Sequence, residues 1–111
     1  MPNLEHLIIE YSDALTYNNR LSMNTIYTYR TGLKLFLSYC NDCGYDHVSM
    51  ITPKVLDSFR SWVLETHRTE KSFETSLTAL RGFFRYIKSQ GIIQCNPITQ
   101  YSDEKKAARS V

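Results

Sequence analysis

The stretch RLSMNTIYTYRTGLKLF, from Arg20 to Phe36, combines helical spacing with an unusual outer surface. Its apolar residues recur at intervals of three and four, which is the spacing of one helix face. The whole stretch contains no acidic residue, although exposed helices usually mix Glu with Lys because opposite charges stabilise them. The sequence therefore predicts a helix whose exposed face has no acidic residue and contacts a binding partner. The apolar residues are Ile26, Tyr29, Leu33, Phe36 and Leu37, and the polar face carries Asn24, Tyr27, Thr28, Thr31 and Lys34.

The composition is that of an ordinary soluble domain. The chain has 111 residues, of which 42% are hydrophobic and 22% charged, and this length suffices for one domain with its own core. No apolar run approaches the roughly 20 residues of a membrane-spanning helix. The first residues, MPNLEHLIIEYSD, have no basic region before their apolar part, unlike a signal peptide. We therefore expect a cytoplasmic protein with no membrane partner.

The hydrophobic periodicity predicts an all-α fold without strands. Ser22 is a good N-cap residue, and Gly44 stands where a helix C-terminus favours glycine. Thr52 followed by Pro53 is a further helix start, because proline fits the first turn. The connections are short, so we expect a compact bundle of four to five helices. Helices are predicted at about residues 3–16, 22–43, 52–67 and 72–90.

The end of the chain reads differently. Asn96 and Pro97 indicate a turn, and the last ten residues, SDEKKAARSV, are almost entirely polar. We expect this tail to be a linker rather than packed structure. The sequence is accordingly divided into a domain at residues 1–100 and a polar linker at residues 101–111.

Positive charge is concentrated in two segments, although the net charge is only +2. Residues 20–34 hold Arg20, Arg30 and Lys34 without any acidic residue, and residues 68–88 hold five basic residues against two acidic ones. A localised excess of this kind favours a surface that meets a polyanion. The outward side of the fourth predicted helix collects Lys71, Glu74, Thr78, Arg81, Arg85 and Lys88.

Two interpretations of these basic faces stay open at this point. Hydroxyl and amide groups hydrogen-bond phosphate oxygens, Arg and Lys supply charge, and the major groove admits an α-helix. We therefore expect the cations of the second and fourth helices to converge on one side of the bundle and hold duplex DNA. The alternative is a helical protein-interaction module whose basic face meets an acidic partner.

Three motifs resemble one known family. Residues 22–36 read S-x-N-T-I-x-x-Y-R-x-x-L-x-x-F, residues 77–87 read L-T-A-L-R-G-F-F-R-Y-I, and residues 91–98 read G-I-I-x-x-N-P-I. In this order and spacing they resemble the N-terminal core-binding domain of phage-integrase-like tyrosine recombinases. The resemblance implies a SAM-like bundle that forms half of a C-shaped clamp on DNA. Its second and fourth helices would enter or border the major groove near the strand-exchange site.

The resemblance also implies partners, and it places Asn24, Thr25, Arg30 and Arg81 at positions expected near DNA. The partners are double-stranded DNA, the catalytic domain of the same parent chain, and other recombinase protomers in a synaptic assembly. Phe83 and Phe84 match a paired aromatic motif, with Phe84 in the core and Phe83 nearer the edge of the apolar stripe. Glu74 departs from the family pattern and is expected off the interface. The predicted DNA-binding residues are Asn24, Thr25, Thr28, Arg30, Thr31, Lys34, Lys71, Ser72, Thr75, Thr78, Arg81, Arg85 and Lys88.

Catalytic residues are not expected in these 111 residues. The family's catalytic domain supplies a His-x-x-Arg element and a nucleophilic tyrosine, and none of His6, His47 and His67 has Arg three positions later. Covalent catalysis needs a nucleophile with positioned activating groups. We interpret the chain as a domain of a longer tyrosine recombinase that binds DNA without cutting it.

No metal or cofactor is expected either. Cys40 and Cys43 form C-N-D-C, with His47 and Cys95 as further possible ligands. However, Cys40 continues the apolar stripe of its helix and is interpreted as a small core residue. A structural zinc site usually shows two clear ligand pairs, which this sequence lacks. Three cysteines are an odd count that fits a reducing compartment.

Overall fold

Five α-helices and one short 3₁₀ helix form the secondary structure of residues 3–18, 20–66 and 68–109, the ranges described by this computed structural model. Those ranges contain no β-strand, and none of their helices is long and apolar enough to cross a membrane. The predicted all-α bundle is therefore confirmed. The elements are α1 (Leu4–Thr16), α2 (Met23–Cys43), the 3₁₀ helix (Val48–Met50), α3 (Pro53–Glu65), α4 (Glu70–Ser89) and α5 (Pro97–Arg109).

Capping side chains fix where the helices begin. α4 starts at Glu70 rather than at the predicted Ser72, because Thr69 caps it and accepts a hydrogen bond from the Ser72 backbone N–H at 3.2 Å. Such a cap satisfies a backbone donor that has no partner within the helix. α3 ends at Glu65, and the predicted end near His67 lies outside the described residues. The caps of α1 to α4 are Asn3, Ser22, Thr52 and Thr69.

Helices α2 and α4 approach each other closely. At Gly32 of α2, an added Cβ would lie 3.0 Å from the Ser76 Cα and 3.3 Å from the Thr75 carbonyl oxygen. The Ser76 hydroxyl, which is fully buried, donates a hydrogen bond of 2.8 Å to the Gly32 carbonyl oxygen. The two helices therefore cross backbone to backbone at this point, which we call the α2–α4 crossing. Residues later in α2 lie beside the start of α4, so the helices run antiparallel.

An aromatic-rich core surrounds the crossing. Phe36 of α2 and Phe59 of α3 meet edge to face, with ring centroids 5.1 Å apart. Phe83 is fully buried, whereas the sequence placed it near the edge of the stripe. The reason is α1, whose Tyr11 ring lies 5.8 Å from the Phe83 ring and covers it. The largest fully buried side chains are Phe36, Phe59, Phe73, Phe83, Phe84, Leu4, Leu33, Leu56, Leu80, Ile87, Ile98 and Val63.

The C-terminal segment packs as a helix, so the expectation of an unpacked tail is wrong. α5 contacts α3 and α4, with Ile98 and Tyr101 buried. Lys105 Nζ of α5 lies 2.8 Å from Asp57 Oδ1 of α3, and this ion pair adds a third contact to those of Ile98 and Tyr101. The pattern was missed because α5 inserts only two large apolar side chains, one turn apart, and the rest of its surface is polar. A connection through residues 101–111 to another domain remains a prediction.

The three cysteines lie in different environments. Cys40 is fully buried, which confirms it as a core residue, while Cys43 and Cys95 are exposed. Burial, with a smaller contribution from Cys43, raises the pKa of Cys40 to about 12. At neutral pH this thiol is therefore protonated and shielded, and it lacks the thiolate character that nucleophiles and metal ligands need.

We predict that Gly32→Ala destabilises the fold. Alanine favours a helix over glycine by about 1 kcal/mol, but the new methyl group would press on the α4 backbone, and overpacking costs about 1–3 kcal/mol. Because backbone cannot move without shifting the whole helix, we expect a net loss of about 1 kcal/mol, measured by urea unfolding. Thr28→Ala, on the exposed face of the same helix, is the control and should not destabilise. An unfolding midpoint for Gly32→Ala at or above wild type would contradict the close crossing.

We predict two fast thiols and one slow thiol towards Ellman's reagent at pH 8. Cys43 and Cys95 should react at once, whereas Cys40 should react only as urea unfolds the chain. A Cys43→Ser/Cys95→Ser variant should retain the slow thiol alone, and three fast thiols would contradict the core position.

The pKa of Cys40 is higher in the folded state than in the unfolded state, so deprotonation of this thiol favours unfolding. The free energy of unfolding should therefore fall as pH rises from about 9 towards 12.

Candidate nucleic-acid interface

A cleft lined by basic, hydroxyl and apolar groups opens between the later part of α2 and the start of α4. We call it the first cleft; its volume is about 480 Å³, and no acidic residue lines it. Three cations reach it from three places in the chain, Lys34 in α2, Arg68 before α4 and Lys71 in its first turn. An acid-free concavity with several cations attracts anions. The lining residues are Thr31, Gly32, Lys34, Leu35, Ser38, Arg68, Thr69, Lys71, Ser72 and Thr75.

The start of α4 adds to the positive potential of the first cleft. The free N–H groups of a helix N-terminus carry partial positive charge, which favours anions nearby. Glu70 in the same turn would oppose this effect, but its Oε1 is bound by Arg60 Nε of α3 at 2.9 Å. Arg68 is positioned by a hydrogen bond of 3.1 Å from its Nη1 to Thr66 Oγ1 and by the Trp62 ring, 5.9 Å from its guanidinium carbon.

Lysines and threonines in this region differ in what they can donate. The Thr31 hydroxyl already donates to the Tyr27 carbonyl oxygen at 2.9 Å, and the Thr78 hydroxyl donates to the Glu74 carbonyl oxygen at 3.1 Å. Within the described ranges Lys34 and Lys71 form no ion pair. Lys34 and Lys71 are therefore available donors to an anion, whereas the Thr31 and Thr78 hydroxyls must rotate before they can donate to one.

A second cleft lies at the junction of α1, α2 and α4, on the other side of the α2–α4 crossing. Its volume is about 330 Å³, and like the first it has no acidic lining residue. Its cations are Arg81 and Arg85 of α4, both exposed. The lining residues are Tyr11, Leu15, Asn18, Leu21, Tyr29, Thr78, Ala79, Arg81, Gly82 and Arg85.

The two clefts collect eight of the thirteen predicted residues. Thr31, Lys34, Lys71, Ser72 and Thr75 line the first cleft, and Thr78, Arg81 and Arg85 line the second. The other five, which lie outside both clefts, are Asn24, Thr25, Thr28, Arg30 and Lys88.

Arg30 lies outside both clefts. It lines a third concavity of about 310 Å³ on α2, together with Met23, Tyr27 and Lys34. Its Nε is buried and has no hydrogen-bond partner among the described residues. Lys34 lines both this concavity and the first cleft, so it is the α2 cation that lies in the same cleft as the start of α4.

Some lining residues were missed by the sequence interpretation. Ser38 lies one turn after Lys34, and Arg68 and Thr69 precede the helix that the pattern started at Ser72. The available signal was the basic segment itself, which begins at Arg68. Glu74 lies on the α5 side of α4, beside Arg60, and outside both clefts.

No metal site emerges from the described residues. They contain no group of three or more His, Cys, Asp or Glu side chains that could hold a metal ion. The chemistry that the two clefts offer is anion binding by cations and hydroxyl groups.

The chain matches a family model described as phage integrase, N-terminal SAM-like domain, over residues 8–91. Among similar proteins is tyrosine recombinase XerD of Pseudomonas putida, 33% identical over 101 residues, which are 90% of this chain and 34% of that protein. Tyrosine recombinase XerC of Oceanobacillus iheyensis is 26% identical over 100 residues, 90% of this chain and 33% of that protein.

The chain thus spans about a third of the length of the curated relatives it matches. No solved structure matches it significantly. The matched range runs from within α1 to just past the end of α4, and it contains the α2–α4 crossing and all lining residues of both clefts. This confirms the resemblance seen in the motifs: the chain belongs to the family of phage integrase N-terminal SAM-like domains.

Proposed function

We propose that this domain binds duplex DNA for a site-specific tyrosine recombinase, and that α2 and α4 grip the duplex beside the strand-exchange site. The observation that carries the proposal is the first cleft, where Lys34, Arg68 and Lys71 converge without an acidic neighbour in the lining. The names of the relatives, which are tyrosine recombinases, support the same reaction class for the parent protein.

Local charge, rather than net charge, supports DNA as the ligand. A net charge of +2 gives little general attraction to a polyanion, so binding depends on the positions of the Lys and Arg side chains on the surface. Each phosphate that Lys or Arg neutralises releases condensed counterions, which drives association at low salt. Three cations around one cleft, close to the positive end of α4, can hold a phosphate backbone in a fixed register.

The remaining steps of recombination belong, in this proposal, to the rest of the parent protein. Its catalytic domain would close the second half of the clamp and carry the nucleophilic tyrosine, and other protomers would complete a synaptic assembly in the cytoplasm. The isolated domain lacks the avidity of two tethered modules. We therefore expect weak and mostly non-specific duplex binding, with Kd of about 10⁻⁴–10⁻⁶ M at physiological salt.

We predict that Lys34→Gln and Lys71→Gln each reduce the salt dependence of duplex binding. Fluorescence anisotropy of a labelled duplex at several salt concentrations gives the slope of log K against log salt. Each substitution should reduce the magnitude of this slope by about 0.9, because one phosphate contact is lost. Lys54→Gln removes the same charge from the exposed first turn of α3, outside both clefts, and is the matched control.

Two results would overturn the proposal. One is wild-type protein that fails to bind duplex DNA even at low salt, as a protein-interaction module would. The other is equal slopes for wild type, Lys34→Gln, Lys71→Gln and the Lys54→Gln control, which would place the contact elsewhere on the domain.

A further inference from the structure

The second cleft contains groups that the basic pattern of the sequence does not reveal. Besides the two arginines of α4, it is lined by Tyr11 of α1 and Tyr29 of α2. Within the described ranges Arg81 and Arg85 form no ion pair, so their charge is available to a ligand. Two guanidinium groups beside phenolic hydroxyls form a donor-rich concavity, which suits the oxygens of an anion.

Tyr11 is held in a fixed position at this cleft. Its ring packs against Phe83 and Tyr86 of α4, with centroids 5.8 and 5.4 Å away. Its hydroxyl lies against Gly82, where an added Cβ would overlap the phenolic oxygen. Glycine at this position therefore lets the hydroxyl approach the α4 backbone between Arg81 and Arg85.

The protonation state of Tyr11 suits a donor. Burial, followed by the neighbouring Tyr29, raises the pKa of Tyr11 above its ordinary value, and Arg85 lowers it to a smaller extent. The phenol therefore stays protonated at neutral pH, and it can donate a hydrogen bond to an anion instead of repelling it.

The two clefts lie along one face of α4. Lys71 and Thr75 border the first cleft, and Thr78 and Arg85 border the second. These positions are separated by four, three and seven residues, so they follow one face of the helix. The centres of the two sets lie about 8.5 residues apart, which is about 13 Å along the helix axis at 1.5 Å per residue. This exceeds only slightly the major-groove width of about 12 Å.

We infer that the second cleft is a second phosphodiester-binding site, in which Arg81, Arg85 and the Tyr11 hydroxyl hold a phosphate on the edge of the major groove opposite the one held by the first cleft. This inference rests on the proposed function. It assigns a DNA contact to α1, a helix that the charge pattern of the sequence did not indicate. It also anchors α4 to the duplex at two phosphates, so that the α4 face between the clefts is turned towards the major groove.

Salt-dependent duplex binding tests the second site. Arg85→Gln should lower the magnitude of the log–log slope by about 0.9, and Lys71→Gln/Arg85→Gln by about twice that amount, because the two residues meet different phosphates. Tyr11→Phe keeps the ring packing and the net charge, so it should weaken binding about tenfold, as expected for a hydrogen bond to a charged group, without changing the slope. Lys54→Gln, in the exposed first turn of α3 and outside both clefts, is the control.

The outcomes separate this inference from the proposed function. If Lys71→Gln lowers the slope while Arg85→Gln and Tyr11→Phe behave like Lys54→Gln, the second site is refuted and the first cleft stands. If Arg85→Gln lowers the slope but Tyr11→Phe binds as wild type, the role of α1 is refuted. Wild-type protein without duplex binding would refute both. Unchanged thermal melting of Tyr11→Phe verifies that the comparison is made on folded protein.

Discussion

The backbone contact between α2 and α4 is the constraint on which the rest of the structure depends. Gly32 lets the two helices approach until the Ser76 hydroxyl bonds the Gly32 carbonyl oxygen. Because antiparallel helices that touch at one point leave space on either side of it, the crossing creates the first cleft towards the start of α4 and the second towards α1. Packing and the candidate interface thus share one origin, since the geometry that buries the core also positions the cations.

Much of the fold could be predicted from the sequence because helix signals are local. The N-cap at Ser22, the Thr52–Pro53 start and the left-handed glycines at positions 44 and 91 each act within one turn. α5 escaped prediction because its stability is tertiary. It inserts Ile98 and Tyr101 between α3 and α4 and forms an ion pair with Asp57, and none of these contacts leaves a regular apolar pattern.

The sequence predicts many of the residues that line the candidate site, but only part of how they are grouped in space. Charge counting indicated the two helices whose cations line the clefts, since Lys34, Lys71, Arg81 and Arg85 are all exposed beside a cleft. It could not show that a crossing divides these cations into two groups, because that division depends on a glycine in one helix facing a serine in another. It also could not identify Tyr11, whose neighbours Gly82 and Phe83 are about seventy residues away in the chain.

The contact between Tyr11 and Gly82 has a consequence for how this domain can diverge. A methyl group at position 82 and the phenolic oxygen at position 11 would overlap, so the Tyr11 side chain would have to shift to admit alanine at position 82. Phenylalanine at position 11 removes the overlapping oxygen and makes that shift unnecessary. Homologous chains with alanine at position 82 should therefore favour phenylalanine over tyrosine at position 11.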